Sequence, residues 1–178
     1  MTGAPTLARM PVTPFHFGPG ALLKSAAPGH VSWMTFALAN ALIDLEPIFL
    51  FVAIGVPAHP WLHTFPGALA VAAAAALAGR RPCEAALRWW NSRLSPAQSR
   101  WLSEPPLIAA RAAWTGALLG TTTHVLLDAF MHGDVRILWP VSDDNPLYGV
   151  VPLAPLHWGC VLAGAAGLAL LAYRRSRT

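Results

Sequence analysis

The chain consists of long apolar stretches separated by short polar ones, and four of the apolar stretches have the length of membrane-crossing helices. Crossing the hydrocarbon core takes roughly 20 apolar residues, with a usable range of about 17–25. The four stretches are Trp33–Val56, Trp61–Ala78, Leu107–Met131 and His157–Tyr173. This pattern predicts an all-α fold: a single membrane domain over residues 1–178, built on about four transmembrane helices.

Composition supports a membrane environment. The chain is 55% hydrophobic and only 11% charged, with a mean hydropathy of +0.48. Soluble domains carry about a quarter charged residues, so this chain has too little charge to cover a solvated surface. The alternative, a soluble protein with unusually apolar helices, leaves that shortage unexplained. Residues 1–20 contain no apolar signal-peptide core, and the first stretch is therefore expected to act as an uncleaved anchor.

The distribution of arginine predicts the orientation of the chain. Positive residues gather between the second and third stretches and at the C-terminus, and these are Arg80, Arg81, Arg88, Arg93, Arg100, Arg174, Arg175 and Arg177. The opposite loops, 57–60 and 132–156, hold only Arg136. By the positive-inside rule we expect both termini in the cytoplasm of a bacterial inner membrane. Topology then explains the net charge of +4, so the expected partners are membrane lipids and a small-molecule or lipid substrate rather than nucleic acid.

Two segments outside the predicted spans are expected to lie at the membrane interface. Residues 1–32 are expected to form an N-terminal interfacial segment, in which the Pro- and Gly-rich turn around His16 could re-enter the bundle. Segment 80–105 combines its arginines with Trp89, Trp90 and Trp101. Aromatic residues beside basic ones are typical of a helix that lies in the membrane interface, which predicts a cytoplasmic amphipathic loop here.

The first stretch contains two carboxylates, Asp44 and Glu46, beside Pro47. An ionisable group at the membrane centre costs about 2.5–3.5 kcal/mol even on the mildest scale, and such groups usually mark a function. Pro47 cannot donate to the carbonyl of Ile43, so the helix should kink or break there. A break would let both carboxylates face one cavity as candidate catalytic groups. The alternative is that they only satisfy carbonyls freed by the kink.

The third stretch ends in a second polar pattern, His124, Asp128 and His132 at intervals of four. Residues four apart share one face of a helix, so an imidazole and a carboxylate reach the same point, as helical metal sites require. The alternative is a His–Asp pair that only locks the packing of helices.

Further histidines come to the same side of the predicted membrane. His59 and His63 lie in the turn before the second stretch, and His157 begins the last one, whereas His30 belongs to the other interface and is given no role. The candidate metal ligands are thus His16, Asp44, His63, His124, Asp128, His132 and His157.

Imidazole and carboxylate ligands without thiolate suit a divalent metal, zinc first, with manganese or iron as alternatives. Such an ion would neutralise buried carboxylates and lower the pKa of water for hydrolysis. The sequence therefore favours a membrane-embedded, metal-dependent hydrolase. A transporter or ion conduit that uses the same His and carboxylate chain, or a non-catalytic structural membrane protein, remain alternatives.

These motifs resemble the membrane-bound, metal-dependent hydrolase family of bacterial inner membranes. The similar segments are 14–20, 43–47, 63–65 and 120–140, in the same order, within roughly residues 11–160. The family has a first His, an Asp-rich Pro motif, a Thr-His-Ser-like turn, and Ser-His-x-x-x-Asp before Trp-Pro. Where the family has Asp-x-Asp-His, this chain reads Asp44-Leu-Glu46-Pro47. The resemblance implies an inner-membrane hydrolase with a metal site.

The order of candidate ligands is also similar, more distantly, to that of zinc-dependent phospholipase C and P1 nuclease. Their helical bundle has His, Asp, His, His-x-x-x-Asp and later histidines; His132 and His157 would be the late members here. This likeness implies that one zinc is shared by Asp44, His63, His124 and Asp128. It also implies that His16 joins Asp128 on a neighbouring ion, and that phosphoesters, including lipid phosphates, are the substrates.

Overall fold

The structure is a computed structural model that describes residues 13–55 and 58–177. In these ranges every regular element is a helix and no strand occurs, which confirms the all-α prediction for this part of the chain. The elements are a short 3-10 helix Thr13–His16, then α1 Phe17–Ala26, α2 Trp33–Ile43, α3 Leu45–Ile54, α4 Phe65–Leu77, α5 Arg80–Arg93, α6 Pro96–Leu102, α7 Ala110–Met131 and α8 Leu153–Ser176.

The core is formed by α2, α4 and α7, which pack against one another through small side chains. Its fully buried alanines are Ala39, Ala72, Ala75, Ala113, Ala117 and Ala129. Small residues let helix axes approach closely, because little side-chain volume separates the backbones. At Gly120 a Cβ would lie only 2.7 Å from the carbonyl oxygen of Phe36, so the backbones of α7 and α2 come close there. The contact lies just before the polar residues of α7, which begin at Thr121.

Helix α1 packs along α8 and runs in the same direction. Gly18 lies against the backbone of Cys160, and Gly167 lies against the backbone of Ala21. At the other end, an Arg174 nitrogen lies 3.4 Å from the carbonyl oxygen of Ala26. The N-terminal segment from Thr13 onward is thus part of the bundle, with His16 at its polar end; residues 1–12 are outside the described range.

The first predicted span is interrupted at Asp44, which ends α2 and begins α3. Pro47 has no N–H to offer the carbonyl of Ile43, and the interruption falls directly after that carbonyl. The helix resumes at once, since the N–H of Ile48 donates to the carbonyl of Asp44 at 3.2 Å. The break therefore lies one turn before the proline, and it places a carboxylate at the junction.

Within residues 13–55 and 58–177, two helical segments are long and apolar enough to cross a membrane, Trp33–Ile54 and Leu153–Ser176. Only 22% and 11% of their most apolar windows are buried inside the protein, so most of this apolar surface faces outward. They correspond to the first and last predicted spans. The predicted end of the first span, Val56, is outside the described residues.

The other two predicted spans do not meet the same criterion. Helix α4 is apolar but begins only at Phe65 and has 13 residues. At 1.5 Å per residue it is about 20 Å long, shorter than the ~30 Å hydrocarbon core. Helix α7 has 22 residues, but the polar run from Thr121 to Asp128 reduces its hydrophobicity. The four-span bundle is therefore supported for two of its helices.

The Arg-rich segment between α4 and α7 forms two helices, α5 and α6. Helix α5 buries one face through Cys83, Glu84 and Leu87. The Glu84 carboxylate accepts hydrogen bonds from the backbone N–H of Ile108 at 3.0 Å and from Arg80 at 3.1 Å. These two interactions hold the pKa of Glu84 below its usual value. This end of the bundle is thus stabilised by carboxylates paired with permanent cations.

Candidate metal centre

Four side chains converge at the opposite end of the bundle from the arginines. Asp44, His63, His124 and Asp128 each offer one ligand atom, and these four atoms lie within 4.8 Å of one another. Three separate structural features supply them: the α2–α3 junction, the turn before α4, and the last turns of α7. The two imidazoles and Asp128 are buried, whereas the side chain of Asp44 is 20% exposed. The group could hold a metal ion, with access from the Asp44 side.

Asp128 lies between the two imidazoles of this group. Its Oδ2 is 3.2 Å from Nε2 of His63 and 3.2 Å from Nε2 of His124. The same Nε2 of His124 is 3.1 Å from Oδ1 of Asp44. Two carboxylates and two imidazole nitrogens are therefore directed at one small volume, which is the donor set that zinc, manganese and iron accept.

Asn40 determines which nitrogen of His124 is available. The amide nitrogen of Asn40 donates to the carbonyl of Phe36 at 2.9 Å, so its Oδ1 faces His124. At 2.9 Å, that oxygen accepts a hydrogen bond from Nδ1 of His124. With the proton on Nδ1, the lone pair of a neutral imidazole is on Nε2, facing the two carboxylates. Metal-ligating histidines are commonly oriented in this way by an acceptor on the other ring nitrogen.

The buried imidazole nitrogens support a cation in this volume. Nε2 of His63 and Nε2 of His124 are buried and make no hydrogen bond within the described part of the chain. A buried polar atom without a partner is costly, and buried carboxylates facing a lone pair are more costly still. A positive ion among these donors would satisfy both, so the residues present fit a divalent metal.

Glu46 lies beside the group of four but outside it. Its carboxylate accepts hydrogen bonds from the backbone N–H of Trp61 at 3.1 Å and of Leu62 at 2.8 Å. Its Oε2 is 3.8 Å from Nδ1 of His63, which is beyond hydrogen-bond distance. Glu46 thus holds the turn that carries His63 and faces the outer nitrogen of that ring.

His16, the last residue of the 3-10 helix and the N-cap of α1, also contacts the group. Its Nε2 is 3.1 Å from Oδ1 of Asp128, the oxygen that does not face the other two histidines. Its ring stacks on that of His124, with centroids 4.0 Å apart and planes inclined by 11°. The structure therefore brings His16 to the candidate site, in contact with Asp128.

His132 falls in a second group, with His59 and Asp134. These residues also offer three ligand atoms within 4.8 Å of one another. One oxygen of Asp134 lies 3.0 Å from Nδ1 of His59 and accepts the backbone N–H of His59 at 2.9 Å. Although partial burial alone would raise it, these contacts with His59 lower the pKa of Asp134 to about 2. The carboxylate is therefore ionised at neutral pH.

His157 is the one predicted ligand that the structure keeps apart from both groups. Its ring stacks on Phe15, with centroids 4.1 Å apart and planes inclined by 14°. Its Nε2 is buried and has no hydrogen-bond partner among the described residues. From the first turns of α8, the side chain thus packs against the N-terminal segment.

Three residues in or beside these groups are not among the predicted ligands, although each stands at a short interval from one of them. They are Asn40, His59 and Asp134. Asn40 precedes Asp44 by four positions, which places both on one face of α2. His59 precedes His63 by the same interval, and Asp134 follows His132 by two positions. Each of these residues gains its role from a contact distant in sequence, so the short spacing alone does not reveal it.

No protein-family model, curated protein or solved structure matches this chain. The fold and the site define its class on their own: over the part of the chain that the structure describes, it is an all-helical protein with two helices able to cross a membrane and a buried His/Asp group able to hold a metal ion.

Proposed function

We propose that this protein is a membrane-embedded, metal-dependent hydrolase that acts on phosphoesters, including lipid phosphates. The observation that supports it most is the convergence of Asp44, His63, His124 and Asp128 within 4.8 Å. These residues are the ones that the likeness to zinc-dependent phospholipase C and P1 nuclease assigns to one ion. Nε2 of His63 and Nε2 of His124 both lie 3.1–3.2 Å from carboxylate oxygens of this group without the alignment of a hydrogen bond, which fits donors arranged around an ion.

In this proposal, Asp44, His63, His124 and Asp128 hold the ion, for which zinc is the first choice and manganese or iron are alternatives. A divalent metal bound there with an open position supplies Lewis acidity and activates water near neutral pH. Asp44 is the partly exposed ligand and lies where a substrate would enter. Hydrolysis adds water across the P–O ester bond: the water oxygen joins phosphorus, and the ester oxygen leaves with a proton.

The surrounding residues position the four ligands. Asn40 fixes the tautomer of His124, and His16 holds Asp128 through the oxygen that faces away from the other histidines. Glu46 anchors the turn before α4 by accepting two backbone N–H groups, so it determines where His63 lies. We therefore assign Glu46 to positioning His63 rather than to proton transfer.

We propose that the protein resides in a bacterial inner membrane as a four-span, multi-pass protein with both termini inside. The outward-facing apolar surface of Trp33–Ile54 and Leu153–Ser176 supports this, as does the Arg-rich end formed by α5 and α6. The metal group would then open toward the outer half of the membrane, close to lipid headgroups. A reporter enzyme fused after Asp143 should be active only outside; a cytoplasmic signal would contradict this topology.

The hydrolase proposal is tested on detergent-solubilised protein with p-nitrophenyl phosphate and with phosphatidic acid in mixed micelles. We expect turnover by the wild type that a chelator removes and added zinc restores. Asp44→Asn keeps the size of the side chain but removes its charge, so it should lose both metal and turnover. His30→Ala, at an exposed position outside the site, serves as the matched control and should behave as wild type.

The outcome that contradicts the proposal is a folded, metal-loaded wild type that hydrolyses neither substrate. Equal metal content and activity in Asp44→Asn and in the wild type would also contradict the assignment of Asp44 as a ligand.

A second function, ion conduction, is supported by a separate observation. Five imidazoles form a chain of ring contacts, with centroid distances of 4.6, 4.6, 5.4 and 4.0 Å. In order the chain is His132, His59, His63, His124 and His16. Imidazoles in series can pass protons, because each ring can accept at one nitrogen and donate at the other.

Proton flux into liposomes distinguishes conduction from hydrolysis. Conduction predicts acid uptake by reconstituted wild type that His63→Ala interrupts, without phosphoester turnover. The hydrolase proposal predicts turnover, with no flux above that of empty liposomes.

A further inference from the structure

We propose that His59, His132 and Asp134 form a second divalent-cation site at the entrance to the buried group. Their three ligand atoms lie within 4.8 Å of one another. They come from two loops that are distant in the chain, the turn before α4 and the turn after α7. The site requires no hydrolytic activity and goes beyond the function proposed above.

The position of each donor is fixed by contacts independent of any ion. His132 caps the C-terminus of α7; its N–H donates to the carbonyl of Asp128 at 2.7 Å, and its own carbonyl accepts from Asn145 at 2.9 Å. Asp134 accepts the backbone N–H of His59 at 2.9 Å. Because backbone bonds hold both loops, the three donors are preorganised, which lowers the cost of binding an ion.

Arg136 adds a further tie between the same two loops. Its guanidinium donates to the carbonyl of Pro60 and to the carboxylate of Asp143, and it lies 4.9 Å from the ring of Trp61. The sole arginine of the outer loops is therefore occupied by structural contacts. Arg136 does not pair with Asp134 in the described part of the chain. There, the contacts of the Asp134 carboxylate are with the backbone N–H and the ring of His59.

The donor set suits a borderline divalent cation such as Zn²⁺, Co²⁺, Mn²⁺ or Fe²⁺. Two imidazoles and one carboxylate supply three ligands, and such sites leave the remaining positions to water or substrate. His59 is buried at 7% exposure, whereas the side chain of Asp134 is 48% exposed. The site is thus closed toward the protein and open toward the outside.

The second site is adjacent to the buried group but shares no ligand with it. The rings of His59 and His63 are in edge contact, with centroids 4.6 Å apart. His63 belongs to the buried group and His59 to the outer one. Because no residue is common to both, each site should be filled and emptied separately, the outer one more readily since it is open to solvent.

The test measures bound metal per chain and needs no substrate. The detergent-solubilised full chain is loaded with Co²⁺, passed through a desalting column, and measured by elemental analysis and visible absorption. We expect two equivalents in the wild type. Asp134→Asn, which keeps the size of a half-exposed side chain, should retain one, and so should His132→Ala. The matched control is Asp144→Asn, an exposed carboxylate of the same loop that pairs with Ser142, and it should retain two.

Further variants separate this site from the buried one. His124→Ala should lose one equivalent and keep the equivalent that depends on Asp134. The wild type could also hold a single equivalent that Asp134→Asn loses and His124→Ala retains. That result would support the outer metal site and contradict metal binding by the buried group. A wild type whose metal content and cobalt spectrum are unchanged by both Asp134→Asn and His132→Ala overturns the second site. Gel filtration of each variant confirms that the fold is kept.

Discussion

The two ends of the bundle both bury carboxylates, but they neutralise them with different partners. At the Arg-rich end, Glu84 pairs with Arg80 at 3.1 Å, and Glu104 pairs with Arg175 at 2.6 Å and with Lys24 at 3.3 Å. All of these partners are lysine or arginine side chains. The carboxylates at this end are therefore satisfied by the protein itself.

At the other end, carboxylates face imidazoles instead. Asp128 lies within 3.2 Å of His16, His63 and His124, and Asp44 lies 3.1 Å from His124. An imidazole is neutral unless it takes up a proton, and its unprotonated nitrogen is a metal ligand. Carboxylates are thus paired within the protein at one end and form a candidate ion site at the other, because the side chains around them differ.

The largest expected difference between the two ends concerns metal affinity. Asp128→Asn removes the carboxylate that lies between both imidazoles, so affinity for Zn²⁺ should fall by at least about 100-fold. Glu104→Gln at the Arg-rich end should leave it unchanged. Competition with a chromophoric chelator measures both. Equal losses in the two variants would show that they act through the fold rather than through a site.

An intermediate effect is expected at Asn40, which contacts no ion in our account. Asn40→Ala removes the acceptor of Nδ1 of His124, and loss of such an orienting partner typically weakens metal binding by about 10–100-fold. The matched control is Asn91→Ala, whose side chain holds the backbone of Glu104 at the Arg-rich end. The chelator assay should separate the two variants. If Asn40→Ala bound zinc as tightly as Asn91→Ala, the orientation of His124 would not depend on Asn40.

The sequence singled out the four residues that the structure groups together, because each carries a local signal. Asp44 interrupts an apolar run beside Pro47, and His124 and Asp128 share a helix face in the pattern and in the structure. His63 comes just before α4, in the turn where it was expected. The structure keeps these local relations, because they depend only on spacing within one helix or turn and on the direction of neighbouring helices.

The structure differs from the sequence pattern at the end of α7, because the helix ends earlier than the interval of four implied. His132 continues the interval of four, but it is the C-cap of α7 with extended backbone angles, φ −121° and ψ 119°. Its side chain therefore leaves the face shared by His124 and Asp128 and joins His59. His157 stacks on Phe15, a contact between the two ends of the chain that no local pattern encodes.

Two of the predicted spans are not confirmed as membrane-crossing helices, and the reason differs between them. The apolar stretch from Trp61 to Ala78 includes a turn, so its helix is shorter than the stretch. Helix α7 has the required length but exchanges apolar residues for the polar ones of the site. The turn before α4 thus shortens one of the two helices, and the polar residues of α7 reduce the hydropathy of the other.

The smallest expected effect is a pH dependence of stability at the Arg-rich end. Glu84 has a lowered pKa when folded, so the folded protein binds fewer protons at this group than the unfolded chain does. Its contribution is present above the usual value of 4.5 and is lost as pH falls through the lowered pKa. Melting temperature measured from pH 6 to pH 3 in detergent should decline more steeply for the wild type than for Glu84→Gln. If the melting temperatures of the wild type and of Glu84→Gln declined in parallel, Glu84 would make no such contribution to stability.

Anomalous X-ray scattering from crystals grown with Zn²⁺ tests the central claim most directly. Data collected on both sides of the zinc absorption edge locate the ion without reference to activity or to any variant. Our account predicts an anomalous peak enclosed by Asp44, His63, His124 and Asp128, with Nε2 of His124 among its ligands. Crystals soaked in millimolar zinc that show no peak among these four residues would contradict it.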